Sequence, residues 1–286
     1  MDLTVVLAPM AGVTNRAFRR LCREQAPGFV YVNEMVTARA LVEGNEKTER
    51  MLRFDDDEQP RSAQLYGTAP GTMAEAVRIA IGDFGVEHVD LNFGCPVPKV
   101  TRKGGGAALP VRRALLAEIV RAAVGAAGDV PVTVKFRIGL NDELRTSVQT
   151  GRIAEAEGAA AVALHARTAE QRYACDADWT AIAELKAAVT SIPVLGNGDI
   201  WEPQDALRMM AATGCDGVVV GRGCRGRPWL FAGLAAVLAG EEPAPPPSFA
   251  VVADTMRRHA QLLVEDSGEP GMREFRKHAA WYVQGS

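Results

Sequence analysis

Short apolar runs recur along the chain and alternate with longer stretches of helical spacing. The runs are Val5–Ala8, Phe29–Asn33, Arg61–Tyr66, His88–Asn92, Val132–Arg137, Ala161–His165, Pro193–Gly196 and Gly217–Val220. Several are unbroken Val, Ile, Leu and Ala segments, the pattern of parallel strands buried on both faces. Between them the apolar positions follow a helical period, as in Thr72–Ile81, Arg112–Ala126, Arg145–Glu157, Trp179–Ala188 and Pro203–Ala212. Gly or Pro marks most change-overs, for example Gly158 after one helix and Pro131 before a strand. Eight strand-then-helix units in succession predict a closed (β/α)8 TIM barrel rather than an open doubly wound sheet. The 286 residues accommodate such a barrel and leave room for a small appendage.

The alternation breaks at Glu241–Ser248, where three consecutive prolines favour an extended spacer. Beyond it, Phe249–Glu265 and Met272–Val283 read as two helices. The expected organisation is a catalytic barrel over 1–240, a Pro-rich linker over 241–248 and the beginning of a small C-terminal helical domain over 249–286. Two short helices bury too little surface to fold alone. They must pack on the barrel or belong to a longer parent chain.

Composition narrows the class. Hydrophobic residues make up 48% of the chain, yet no apolar run approaches the length of a bilayer span. The N-terminus lacks the basic start and cleavage site of a signal peptide, so the cytoplasm is the expected compartment. The five cysteines show no CxxC pair, which argues against a metal site or a disulfide framework, and Cys22 and Cys215 read as inert core residues. The formal net charge is −3, so any nucleic-acid binding needs a local basic surface. The run Asp55–Glu58 reads as a solvated loop. A monomer is the default expectation.

In a (β/α)8 barrel the working residues sit where strands end and loops begin. Those positions hold Pro9-Met10-Ala11-Gly12, Gln64, Asn92 to Pro96, Lys135 and Arg137, His165 and Arg167, Asn197-Gly198-Asp199, and Gly221-Arg222-Gly223. Glycines at the last two strand ends, with Arg222 between them, suit a phosphate-bearing cofactor. Lys135 lies among apolar neighbours, and a buried ammonium is costly without a partner. It reads as a Schiff-base lysine or as a fixed cation facing an anionic cofactor. His165 is a base, a hydrogen-bond donor or a satisfied core histidine. The Cys95 thiol, in a Gly-Cys-Pro turn, is mostly protonated at neutral pH and can give a proton as well as attack.

The segments PMAGVTN (9–15), EMV (34–36), QLYG (64–67), NFGCPVPKVTRKGGGAAL (92–109), VKFRIG (134–139), GNGDI (196–200) and VGRGCRGRPWLF (220–231) together resemble the bacterial tRNA-dihydrouridine synthases. The motif set is most similar to the B-type group. The trailing RKHAAWY (276–282) resembles the start of that family's helical RNA-binding domain. The sequence departs from the family pattern at Ala166 and Cys175, where glycine is usual.

The resemblance implies an FMN-dependent oxidoreductase that reduces the 5,6 double bond of a D-loop uridine in tRNA, with NADPH as reductant. By position it implies that Pro9, Met10 and Ala11 line the flavin and that Gln64 contacts its ring. Lys135 would face the ring's pyrimidine side with His165 beside it, and Asn197, Gly198, Asp199, Gly221 and Arg222 would hold the ribityl chain and phosphate. Asn92 would touch the uracil, and Cys95 would be the proton donor. Lys99, Arg102, Lys103, Arg137, Arg167, Arg172, Arg225 and Arg227 fall on or after strand tips and predict a basic rim for RNA. Arg273, Arg276, Lys277 and His278 would join it from the last helix. The alternative is an FMN barrel acting on a free pyrimidine, of the dihydroorotate or dihydropyrimidine dehydrogenase type. The basic cluster after Cys95 and the RKHAAWY tail speak against it.

Overall fold

The computed structural model describes residues 3–283. All eight expected strands form: β1 (Val5–Leu7), β2 (Val30–Tyr31), β4 (Ser62–Tyr66), β5 (His88–Phe93), β6 (Val132–Arg137), β7 (Ala161–His165), β8 (Val194–Asn197) and β9 (Gly217–Val220). A ninth, β3 (Val36–Thr37), was not legible, because two residues carry no period. Neighbours pair in parallel in the order β2-β1-β9-β8-β7-β6-β5-β4-β3. Just past β2, Val32 bridges Ser62 in parallel, and the Asn33 amide donates to the Ser62 carbonyl at 3.1 Å. That contact joins β2 to β4 and closes the ring.

The helices are α1 (Arg16–Gln25), α2 (Ala38–Val42), α3 (Glu46–Met51), α4 (Pro70–Phe84), α5 (Pro98–Thr101), α6 (Arg113–Ala127), α7 (Ser147–Ala156), α8 (Trp179–Ala188), α9 (Pro203–Thr213), α10 (Leu230–Leu238), α11 (Phe249–Ser267) and α12 (Glu269–Val283). Local chemistry sets several boundaries. Asn15 caps α1 by accepting from the Phe18 amide, and α9 opens with Pro203 inside a reciprocal Glu202–Asp205 box. Between the strands and the helices lies the main core, with Leu7, Leu65, Leu91, Val134, Phe136 and Leu164 pointing outward from the barrel.

The barrel interior is divided. One side is apolar, filled by Val6, Ala8, Val30, Val32, Ala163, Leu195 and Val219. The other side, from β4, β5 and β6, carries buried Ser62, Gln64, His88, Asp90 and Thr133. Barrel interiors are usually packed with branched apolar residues, so this polar half needs a separate explanation.

Asp56 and Asp57 of the acidic run are exposed as expected, but the run is not simply a solvated loop. Glu58 is 1% exposed and pairs with the equally buried Arg19 at 2.6 Å, while Arg23 reaches Asp55 and Asp57 at 3.1 and 2.8 Å. Arg19 and Arg23 stand one turn apart on the buried face of α1, and buried guanidinium groups require counter-ions. The run folds over them.

α11 and α12 pack on α1 through Phe18, His259 and His278, and Arg258 pairs with Glu24 at 2.6 Å. Gly226 touches the last turn of α12 so closely that an added Cβ would run into the Trp281 backbone. Among the described residues no helix is long and apolar enough to cross a membrane.

Candidate active site

A cavity of about 860 Å³ opens at the C-terminal ends of the strands. Pro9, Met10 and Ala11 enter it from the loop after β1, Gln64 from β4, and Asn92 and Cys95 from β5 and its loop. Lys135 and Arg137 come from β6, His165 from β7, Arg222 and Arg225 from the segment after β9, and Lys277 and Trp281 from α12. A recess of about 70 Å³ adjoins it, lined by Asn197, Gly198, Asp199, Gly221, Arg222 and Gly223. Pro9, Met10, Lys135, His165, Tyr173 and Arg222 border both spaces. The polar strand tips therefore meet around one continuous hollow.

Cys95 is half-buried at the cavity wall. Its backbone amide donates to Asn92 Oδ1 at 2.9 Å, and its carbonyl accepts from the Ala107 amide at 3.0 Å. Burial pushes the thiol pKa up, with the Val97 amide and the Arg137 guanidinium opposing. The thiol is thus protonated at neutral pH, and a thiolate formed there has two stabilising neighbours.

Lys135 donates to Asn197 Oδ1 at 2.8 Å, and Asn197 in turn donates to the Val219 carbonyl at 2.7 Å. Among the described residues no carboxylate lies within ion-pair distance of Lys135. Burial lowers its pKa to about 8, with Arg137 adding to the shift and Asp90 opposing it. His165 is held well below the usual imidazole range, first by burial and then by Arg137, Lys135, Arg167 and Arg222. It is a neutral ring among cations.

The recess is fixed by ion pairs. Arg167 donates to both oxygens of Asp199 at 2.8 and 2.6 Å, and Arg222 reaches the same carboxylate at 3.2 Å. The Arg222 guanidinium lies 4.2 Å from the Tyr173 ring centroid and 5.2 Å from that of Trp201. It is clasped between two aromatic faces.

Several expected rim cations stand elsewhere. Arg137 is buried and donates to the carbonyls of Gly94 and Thr168 at 3.0 and 2.8 Å. Arg167 is buried against Asp199. Both are held beneath the loop after β7, Arg137 by the Thr168 and Arg172 carbonyls and Arg167 by the Cys175 carbonyl. Arg227 is tied to Glu202 at 2.9 Å, whereas Arg225 stays on the cavity wall, over the Trp281 ring at 4.9 Å. His278 is fully buried between Phe18, His259 and Trp281, because α12 turns residues 278 and 282 inward while Arg276 and Lys277 face out. Lys99, Arg102, Lys103 and Arg276 are exposed.

Gln64 and Asn92 line the cavity, yet their amides are engaged with protein. Gln64 Nε2 donates to Asp90 at 2.6 Å, and Asn92 Nδ2 donates to Gln64 Oε1 at 2.7 Å. Asp90, Tyr173 and Trp201 were not singled out from the sequence, and Trp281 was read only as part of the RKHAAWY segment. Of these only Asp90 carried a usable signal, lying two residues before Asn92 and hence on the same strand face.

The sequence model described as dihydrouridine synthase matches residues 6–286. A probable tRNA-dihydrouridine synthase of Mycobacterium tuberculosis is 59% identical over 290 residues, covering 98% of this chain and 75% of the relative. A tRNA-dihydrouridine synthase B of Xanthomonas axonopodis is 42% identical over 281 residues, covering 98% and 83%. Among solved structures, a histamine dehydrogenase from a Rhizobium species superposes with a TM-score of 0.61 at 12% identity, over 92% of this chain and 48% of that one. A 2-naphthoyl-CoA reductase gives 0.59 at 14% identity, over 83% and 50%. At such identities these two likenesses speak to the barrel fold alone.

Proposed function

The chain belongs to the dihydrouridine synthase family of flavin-dependent tRNA-modifying oxidoreductases, and from that premise we propose that it reduces the 5,6 double bond of a D-loop uridine, with Cys95 as proton donor. The observation that carries this reading is the protonated, half-buried Cys95 thiol on the wall of a cavity that also holds Lys135 and His165.

The residues present fit a flavin mononucleotide. The cavity lies within the range of cofactor sites. Among the described residues Lys135 forms no ion pair with a carboxylate, and only the more distant Asp90 offsets its charge, which leaves it available to an anionic ring edge. Arg222 is half-buried and aimed into a glycine-lined recess suited to a phosphate. Pro9, Met10, Ala11, Gln64, Asn197, Gly198 and Gly221 would complete the contacts. Asp199 would act through Arg222, since a bare carboxylate beside a phosphate is repulsive. When bound, the flavin would supply the hydride for carbon-6, with NADPH as the reductant.

The chain's own residues then manage the proton and the base. Cys95 gives its thiol proton to carbon-5, and the resulting thiolate is stabilised by Arg137 and the Val97 amide. His165, neutral, is available to donate one hydrogen bond to the flavin's pyrimidine side, beside Lys135. Among the described residues the second N–H of Asn92 meets only the Met35 sulfur at 3.8 Å, so it can turn to the base. The cavity is walled by the loops after β1, β5 and β7 and by α12, so the target base must leave its stack to enter. Arg225 and Lys277 line the cavity, and Lys99, Arg102 and Arg276 are exposed; together they would take the tRNA phosphates.

The test is incubation of the flavin-loaded protein with unmodified tRNA and NADPH, with dihydrouridine mapped by mass spectrometry. Product at one D-loop site, lost or severely slowed in Cys95→Ala, is expected. Product formed at an undiminished rate by Cys95→Ala overturns the donor assignment. No product with any tRNA, together with reduction of a free pyrimidine, overturns the substrate.

A further inference from the structure

The polar half of the barrel interior is one hydrogen-bonded chain, and its proton directions can be worked out. Thr133 Oγ1 donates to Asp90 Oδ1 at 2.7 Å, and Gln64 Nε2 donates to Asp90 Oδ2 at 2.6 Å. An ionised carboxylate has no proton to give, so both arms end on Asp90. Along the upper arm, Gln64 must turn its NH2 toward Asp90 and its oxygen toward Asn92 Nδ2, 2.7 Å away. Asn92 must then present its own oxygen to the backbone amides of Gly94 and Cys95, at 3.1 and 2.9 Å. Along the lower arm, Thr133 has given away its proton and accepts from His88 Nε2 at 2.9 Å. That leaves His88 Nδ1 to accept from Ser62 Oγ at 2.6 Å. One carboxylate sets the orientation of every group from the barrel floor to the Cys95 loop.

We propose that Asp90 is a positioning residue for Cys95: the buried acceptor that orients the amides of Gln64 and Asn92 and so holds the Cys95 backbone at the cavity wall. Its effect on turnover rests on the reading of Cys95 as proton donor. The positioning is a property of the chain alone.

Three observations support this. The register pairs Gln64 with Asp90, and Asp90 with Thr133, so the contacts follow from sheet geometry rather than from loose side chains. The opposite half of the same interior is packed with Val, Ala and Leu, so a polar half is not required for closing the barrel. Burying a carboxylate there is costly, and full satisfaction of a low-dielectric network returns a single fixed arrangement. Burial pushes Asp90 up to about 6 against the pull of Thr133, Gln64 and Lys135, which leaves it ionised at neutral pH. His88 is lowered to about 3 by burial and is neutral, as the lower arm needs.

Four variants separate positioning from bulk stability. Asp90→Leu removes the acceptor. Asp90→Asn keeps it for Gln64, because its NH2 can face Thr133 once His88 switches tautomer. Thr133→Val cuts only the lower arm, and Gln64→Met breaks the upper arm one link later. The first readout is the alkylation rate of Cys95 by iodoacetamide in flavin-free protein, followed by peptide mass spectrometry. The second is kcat against KM for tRNA in loaded protein.

Asp90→Leu and Gln64→Met should raise the alkylation rate about fivefold as the loop loosens. In Asp90→Leu kcat should fall about tenfold or more with KM for tRNA little changed. Asp90→Asn and Thr133→Val should stay within about twofold of the wild type in alkylation. If Asp90→Leu does not fold, Gln64→Met alone decides. Wild-type alkylation in folded Asp90→Leu or in Gln64→Met overturns the proposal, even where the wild type makes dihydrouridine. Faster alkylation in both, from a wild type that makes none, supports the positioning and overturns the function instead.

Discussion

Arg167 grips both carboxylate oxygens of Asp199 from a buried position two residues past β7, at 2.8 and 2.6 Å. Asp199 sits in the left-handed region at φ 57°, with its other contacts to the Ala177 amide and Arg222. Two residues that lie apart in sequence thus form one rigid unit, and its free product is the placement of Arg222.

This unit separates stability from cofactor retention. Asp199→Asn tolerates the same backbone but loosens Arg222, so flavin occupancy after gel filtration should drop while the fold persists. Arg167→Leu leaves a largely buried carboxylate short of its main partner and should cost about 3 kcal/mol of stability, read by denaturant unfolding. Equal flavin content in wild type and Asp199→Asn would refute the coupling.

Lys135 titrates near 8 in the flavin-free protein, with burial as the main cause. Its cationic form is the one that attracts an anionic ligand, so flavin affinity should weaken as pH rises through about 8. Lys135→Met should bind flavin more weakly at pH 7 and lose that pH dependence. A pH-independent affinity in the wild type, measured by fluorescence quenching, would contradict the role given to this lysine.

Gly226 has φ 67°, and an added Cβ would strike the Trp281 backbone. Gly226→Ala should therefore push α12 off the barrel. Because α12 supplies Lys277 and Trp281 to the cavity, KM for tRNA should rise several-fold, whereas flavin content should stay near wild type. Unchanged KM would show that α12 contributes nothing to substrate docking.

His259 and His278 are buried together, with ring centroids 4.4 Å apart, and burial lowers them to about 3 and 4. Unfolded, both would protonate near 6.5. The unfolded state therefore binds more protons below that pH, and stability should fall as pH drops from 6.5 toward 4. Each imidazole kept neutral contributes roughly 3 kcal/mol to that loss by pH 4. His278→Leu should flatten the acid limb of Tm against pH. An acid limb as steep as the wild type's would assign the loss to other groups.

The strands were legible because a parallel barrel buries both faces of each strand, which writes them as continuous apolar runs. The same geometry made their C-terminal tips readable as the places where polar residues interrupt those runs. β3 escaped because its two residues pair only along the top of β4. The Asp55–Glu58 run looked solvated because its partners, Arg19 and Arg23, lie some thirty residues earlier on a helix face that local pattern does not join to it.

By itself the sequence determined the (β/α)8 architecture, the family and the set of chemical groups gathered at one barrel end. Periodicity and residue type are local properties, and they survive without knowledge of what lies opposite. Only the tertiary structure decided which of those groups are spent on one another. Arg137 donates to backbone carbonyls, Arg167 holds Asp199, His278 fills a core, and Asp90 sets the hydrogen bonds beneath Cys95. A charge or an amide has the same letter in either role, and its partner is chosen by closure of the barrel and by docking of α12. Those are contacts between segments far apart in the chain, where no local spacing records them.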